Sequence, residues 1–132
     1  MESQKEEALK RLEKLLQNSD SGMTRERYFE MMEQLGQEPI EEEIPPSAED
    51  LPDVMTDAIN TFNTLGDRVY PEIGYTGKDY TNLPFFLKVY EVEDVEYFLD
   101  ILSWLDSRAI KKASDQLKRE YDKLKRNRSG SK

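Results

Sequence analysis

The segment with the most evident chemical potential lies between Asp67 and Asn82, where Gly74-Tyr75-Thr76-Gly77-Lys78-Asp79 sets two glycines, a tyrosine and a lysine side by side. Glycine backbones let N–H groups approach a phosphate, and a lysine that follows can reach its outer oxygens. The likeness to a phosphate loop stops there. Glu72 stands where the first glycine would be, Asp79 replaces the hydroxyl residue, and no apolar strand leads in. The same residues suit an ordered recognition loop: glycine tolerates positive φ, and tyrosine buries its ring while keeping a polar tip. Tyr70, Tyr75, Lys78 and Tyr80 are therefore candidate contacts for a protein partner.

Other chemistries are mostly closed by composition. The 132 residues include no histidine and no cysteine, which removes the commonest nucleophile–base pairs, zinc sites and any disulfide framework. Glu41–Glu43, Glu49, Asp50 and Asp53 are hard oxygen ligands by type, but they lack the spacing and central glycine of a calcium loop and read as a solvated acidic linker. Carboxylate acid/base pairs remain possible by residue type, yet they need a deep pocket in a chain with material for about one small core. The expectation is a protein without catalytic residues, metal or cofactor.

Charge is distributed unevenly. Residues 23–57 carry 2 basic and 11 acidic groups, a net −9, whereas residues 107–132 carry 10 and 3, a net +7. Lys118, Arg119, Lys123, Lys125 and Arg126 in the basic tail form the second group of candidate partner contacts. Such a tail can meet an acidic protein or fold back on its own acidic half. Phosphate contact is the alternative, as is an acidic body acting as a DNA mimic. Tyr121 is the tail's only aromatic residue, so a stacking platform for nucleic acid is missing and that role is not expected. No apolar run approaches the roughly 18–20 residues of a membrane span, and the first residues lack a secretory apolar core. A soluble, cytoplasmic protein without a membrane partner is the expectation.

The elements that would position these groups are helices. Leu9, Leu12 and Leu16 give a short amphipathic helix over Glu2–Gln17, stopped at Asn18–Gly22. Thr24 caps a second helix ending at Gly36, and Gln37–Pro46 reads as an extended, mobile acidic linker. Ser47 or Asp50 caps a third helix, with Pro52 in its first turn and Leu51, Met55, Ala58, Ile59, Phe62 and Leu65 on its buried stripe. A hairpin through Tyr75-Thr76-Gly77-Lys78 is conceivable, but strands of six residues are not evident, so an ordered loop pinned by tyrosines is expected. Thr81 or Asn82 then caps a helix bearing Phe85, Phe86, Leu87, Val89 and Tyr90, apolar enough to be the most buried of all. From Phe85 to Ser129 there is no glycine or proline, and Val95 through Leu124 sustain a helical period, which predicts one long final helix opened by Glu93 or Asp94. Trp104, the sole tryptophan, is expected in the core.

Several blocks resemble small uncharacterised proteins of tailed bacteriophages: Met23-Thr24-Arg25-Glu26-Arg27-Tyr28-Phe29, Glu33-Gln34-Leu35-Gly36-Gln37-Glu38-Pro39, Ile44-Pro45-Pro46, and Glu49-Asp50-Leu51-Pro52 with Gly77-Lys78-Asp79 beyond. The resemblance covers about residues 23–106 and implies a role in virion assembly, such as a tail-assembly chaperone; it carries no functional residues across. The expected architecture is all-α: an N-terminal helix and linker over residues 1–22, then a helical domain over 23–132 with a basic extension, about five helices in total. The expected function is non-enzymatic protein–protein interaction with a phage or host partner. The first helix is expected to dock on this protein's own core or to be partly disordered, with self-association through residues 1–22 or the final helix as the alternative.

Overall fold

In the computed structural model, which describes residues 2–130, five α-helices and one two-stranded sheet follow one another along the chain. The protein is thus mostly helical but not purely so. The chain divides between Thr56 and Asp57 into two compact units.

In the first unit, α1 (Glu2–Ser21) runs one turn past the expected stop. It ends only where Gly22 takes φ +78°, letting the Gly22 and Met23 N–H groups donate to the Ser19 and Asn18 carbonyls at 3.2 and 2.8 Å. Asn18, Ser19 and Asp20 are weak helix formers, but none breaks a helix as a positive-φ glycine does. Helix α2 (Arg25–Gln34) begins and ends as the sequence indicates: Thr24 Oγ1 accepts from Arg27 N–H at 3.2 Å, and Gly36 turns the chain out at φ +67°. The buried residues among those described in this unit are Ala8, Leu12, Tyr28, Met32, Pro45, Leu51 and Met55.

The acidic segment after Gly36 is not simply an extended linker. It contains two short 3₁₀ turns, Glu41–Glu43 and Ala48–Asp50. Ile40 N–H donates to the Tyr28 hydroxyl at 3.1 Å, and the Arg25 guanidinium donates to Pro45 O at 3.0 Å and Asp50 Oδ2 at 2.6 Å. Two side chains of α2 thus hold backbone that proline and charge repulsion would otherwise leave to solvent. Ser47 and Asp50 cap the second turn reciprocally rather than the next helix. That helix, α3 (Asp53–Thr64), starts on Pro52, whose carbonyl accepts from Met55 and Thr56.

In the second unit, where α3 ends, the segment expected to be a loop is a hairpin. Strand β1 (Asp67–Tyr70) pairs antiparallel with β2 (Gly74–Lys78), in a register that sets Asp67 opposite Lys78 and Tyr70 opposite Gly74. The turn is Pro71-Glu72-Ile73, with Glu72 and Gly74 at φ +71° and +84°, so Tyr75-Thr76-Gly77-Lys78 is strand rather than turn. Thr76 Oγ1 donates across the pair to Arg68 O at 2.9 Å.

Helix α4 (Leu83–Val89) departs from expectation twice. No side chain caps it, because the Thr81 hydroxyl donates instead to Asp79 Oδ1. It is also not the most buried helix: only Leu83 is buried, while Phe85 and Val89 are 64% and 55% exposed. Seven residues make two turns, and an apolar composition does not by itself supply a surface to cover both sides. Asp94 then caps α5 (Val95–Gly130) through Tyr97 N–H at 3.0 Å. At 1.5 Å per residue its 36 residues extend about 54 Å. Its early part is core: Tyr97, Phe98, Ile101, Leu102, Leu105 and Asp106 are buried, and Trp104 is half-buried.

Candidate functional site

Two groups of residues stand out in the second unit, one closed and one open. The closed group gathers around Asp106, a single carboxylate set into the buried side of α5. Its Oδ1 accepts from the Tyr75 hydroxyl at 2.6 Å; its Oδ2 accepts from the Tyr80 hydroxyl at 2.5 Å and from Lys78 N–H at 3.1 Å. Gly77 is needed at this approach. Its φ is +129°, and a Cβ there would stand 3.2 Å from Asp106 Oδ2. Beside it the Lys78 ammonium donates to Asp67 Oδ1 at 2.6 Å and to Leu65 O at 3.3 Å, and lies 4.5 Å from the centre of the Phe62 ring.

Electrostatics follow from this geometry. Burial alone would raise the Asp106 carboxyl, but the two phenol hydroxyls, Lys78 N–H and the Lys78 charge outweigh it and hold the group below the ordinary carboxylate range. Tyr75 and Tyr80 move the other way. Burial pushes both phenols well above their usual value, and the bond to Asp106 and its negative charge push them further. Among the described residues no buried side-chain polar atom lacks a partner. The cluster combines a held anion, two held neutral phenols and an ammonium paired with Asp67, and its evident chemistry is to fasten the hairpin to α5.

This latch has a spectroscopic signature. A phenol whose pKa is raised on folding contributes stability that is fully present below its unfolded value of about 10 and is lost as pH rises through the folded one. Alkaline titration followed by phenolate absorbance is expected to show a late step that coincides with loss of circular dichroism. Tyr75→Phe and Tyr80→Phe should each remove part of that step. Late ionisation unaltered in both variants would show that other tyrosines are responsible.

The open group is the rest of α5. From Ser107 to Arg128 no residue is buried. Ile110, Leu117 and Leu124 recur every seven residues, so they share one side of the helix, with Tyr121 next to them; they are 37%, 42%, 64% and 69% exposed. Each of the three is followed by a lysine, Lys111, Lys118 and Lys125, so a basic row borders the apolar one. Lys112, Arg119 and Arg126 form another row one residue further round. At its beginning the apolar row meets a groove of about 430 Å³ whose walls include Leu83, Leu99, Leu102 and Ile110.

The residues singled out from sequence therefore fall into three settings. Tyr75, Lys78 and Tyr80 are brought together, but with their polar atoms turned to Asp106 and Asp67. Tyr70 stands apart at the end of β1, 50% exposed near Val69 and Ile73, which are also exposed. Lys118, Arg119, Lys123, Lys125 and Arg126 are all exposed on α5. Sequence reasoning missed Asp106. Its signal was present: an acid four residues after Leu102 and three before Ala109, on a stripe otherwise apolar, needs donors, and tyrosine hydroxyls were the donors at hand. Among the described residues no group of three carboxylates is placed to hold a metal ion, and no helix is long and apolar enough to cross a membrane. No family model, curated protein or solved structure matches the chain.

Proposed function

We propose that this protein is a non-enzymatic adaptor that docks on an acidic protein partner through the far half of α5. The supporting observation is the 22-residue stretch from Ser107 to Arg128, helical yet without a buried residue, carrying Ile110, Leu117, Tyr121 and Leu124 beside rows of lysine and arginine. A helix gains most of its stability from burying an apolar face, so one left uncovered over this length suits an interface. The surrounding cations give that interface its sign: they speed encounter with an acidic surface and disfavour a basic one. The hairpin contributes the exposed Tyr70 at its tip, while Tyr75, Lys78 and Tyr80 hold the hairpin in place. The resemblance to small phage proteins adds the setting, assembly of a tailed virion in the cytoplasm of a bacterial host.

The test is capture from the native host extract at low and high salt. The comparison is between wild type and a variant with Lys118, Arg119, Lys123, Lys125 and Arg126 replaced by glutamine. Salt-sensitive capture of acidic protein, lost in the variant, is the expected result. Capture that is unchanged in the variant and indifferent to salt refutes docking by charge. Material released by nuclease would instead assign the cations to phosphate contact.

A further inference from the structure

We infer that the surface covering α5 is itself an α-helix, amphipathic and acidic along one flank, which pairs with residues 107–124 as the second strand of a two-helix coiled coil and runs on over the groove beside Leu99. This rests on the docking reading and adds to it the shape and register of the partner.

The spacing carries the inference. A flat acidic surface would make no use of a strict seven-residue repeat, whereas a second helix wound on the first meets the same side once per heptad. Ile110, Leu117 and Leu124 occupy one seam position, Ser107, Ser114, Tyr121 and Arg128 the other, and Lys111, Lys118 and Lys125 the flank adjoining the apolar row. That flank is where coiled coils select partners by charge, so three lysines in it call for glutamate or aspartate at the matching flank opposite. The other seam position is small at Ser107 and Ser114, which leaves room for larger apolar side chains from the facing helix. Before Ser107 the repeat lapses, with Asp100 and Ser103 at the seam positions, and the apolar track continues instead through Leu99, 41% exposed, and the groove bordered by Leu83, Leu102 and Ile110. From Leu99 to Leu124 the track is about 38 Å long, the length of a partner helix of roughly 25 residues.

Charge argues against a second copy as the occupant. Two tails of net +7 would be brought together. In a parallel pair Lys111, Lys118 and Lys125 would face Asp106, Ala113 and Glu120; Asp106 is already engaged by Tyr75, Tyr80 and Lys78, which leaves Glu120 as the one acid facing them. In an antiparallel pair lysine would face lysine.

The test uses the full chain and three synthetic 25-residue peptides labelled for fluorescence anisotropy. One has leucine seams and glutamate flanks, one has the same seams with lysine flanks, and one is the glutamate peptide in shuffled order. Binding of the ordered glutamate peptide with a gain in helicity is expected, with the shuffled peptide and the lysine peptide each weaker by about tenfold or more. Lys111→Glu, Lys118→Glu and Lys125→Glu together should reverse the preference between glutamate and lysine flanks. All three positions are exposed, so the fold is left intact, and the unchanged circular dichroism of the variant is the check. Equal binding of ordered and shuffled acidic peptides would overturn the helical partner while leaving docking on an acidic surface standing. Failure of both acidic peptides to bind would overturn the inference and the docking reading together. A dimer of the free chain that Leu117→Ser dissolves would place a second copy on the face and overturn the inference alone.

Discussion

Replacing Asp106 with alanine is expected to lower the stability of the second unit by about 3–4 kcal/mol. Three donors converge on this carboxylate, the hydroxyls of Tyr75 and Tyr80 and the N–H of Lys78, and bonds to a charged acceptor contribute about 1.5–3 kcal/mol each. The sum is not reached, because Tyr75 is only half-buried and Tyr80 is exposed, so their hydroxyls can turn to water once freed. Lys78 N–H is more enclosed, and its loss of a partner is less readily repaired. For a unit of this size the change corresponds to a fall in melting temperature of ~15 °C or more, read by thermal circular dichroism. Asp106→Asn keeps the volume and one acceptor oxygen and should fall between alanine and wild type. The same carboxyl fixes the acid side of the stability profile. Its folded pKa is depressed, so its contribution is present above the unfolded value of about 4 and is lost as pH falls through the folded one. The gap between wild type and Asp106→Ala should therefore close in strong acid. A gap under ~3 °C at neutral pH, or one independent of pH, would mean that the hairpin is held by other contacts.

This latch also marks the boundary of what the sequence discloses. Signals contained within a few residues read correctly: Thr24 and Gly36 bracket α2, Asp94 opens α5, and the Phe98–Leu105 stripe is core. Each depends on a cap or a period that a single helix satisfies by itself. The hairpin does not. Its strands have four and five residues, two of them glycine, and what holds β2 is a carboxylate 28 residues beyond Lys78. Their composition marks the tyrosines as anchors, but which of their atoms face inwards depends on that distant partner. The exposure of α4 was hidden for a related reason: a run such as Phe85-Phe86-Leu87 states which side chains would gain from burial, and the tertiary fold decides which receive it. The basic tail is legible as charge, and its heptad rows become meaningful only because no residue from Ser107 to Arg128 is buried.

Amide exchange along α5 should accordingly divide into two regimes that differ by about a hundredfold in protection. Around Phe98, Ile101, Leu102 and Leu105, which are buried to within a few per cent, exchange requires the unit to open, and protection of ~10⁴ or more is expected. Beyond Asp106 each further turn is held by helix propagation alone, with a statistical weight per residue of only about 1–1.6, so protection should decline to ~10² or below. Local pairs soften the decline without abolishing it. Asp115 with Arg119 and Asp122 with Arg126 are spaced i,i+4 and contribute about 0.2–0.5 kcal/mol each, and the cations near the end favour the helix dipole. The fall of about a hundredfold across Asp106–Ile110 is measurable by exchange mass spectrometry on the free chain at low concentration. A docked partner covers Ile110, Leu117 and Leu124, so bound chain should gain protection there and gain little around Phe98. Protection that stays at the core level through Arg126 in the free monomer would mean that the far half of α5 is already supported, and the uncovered face on which docking depends would not exist.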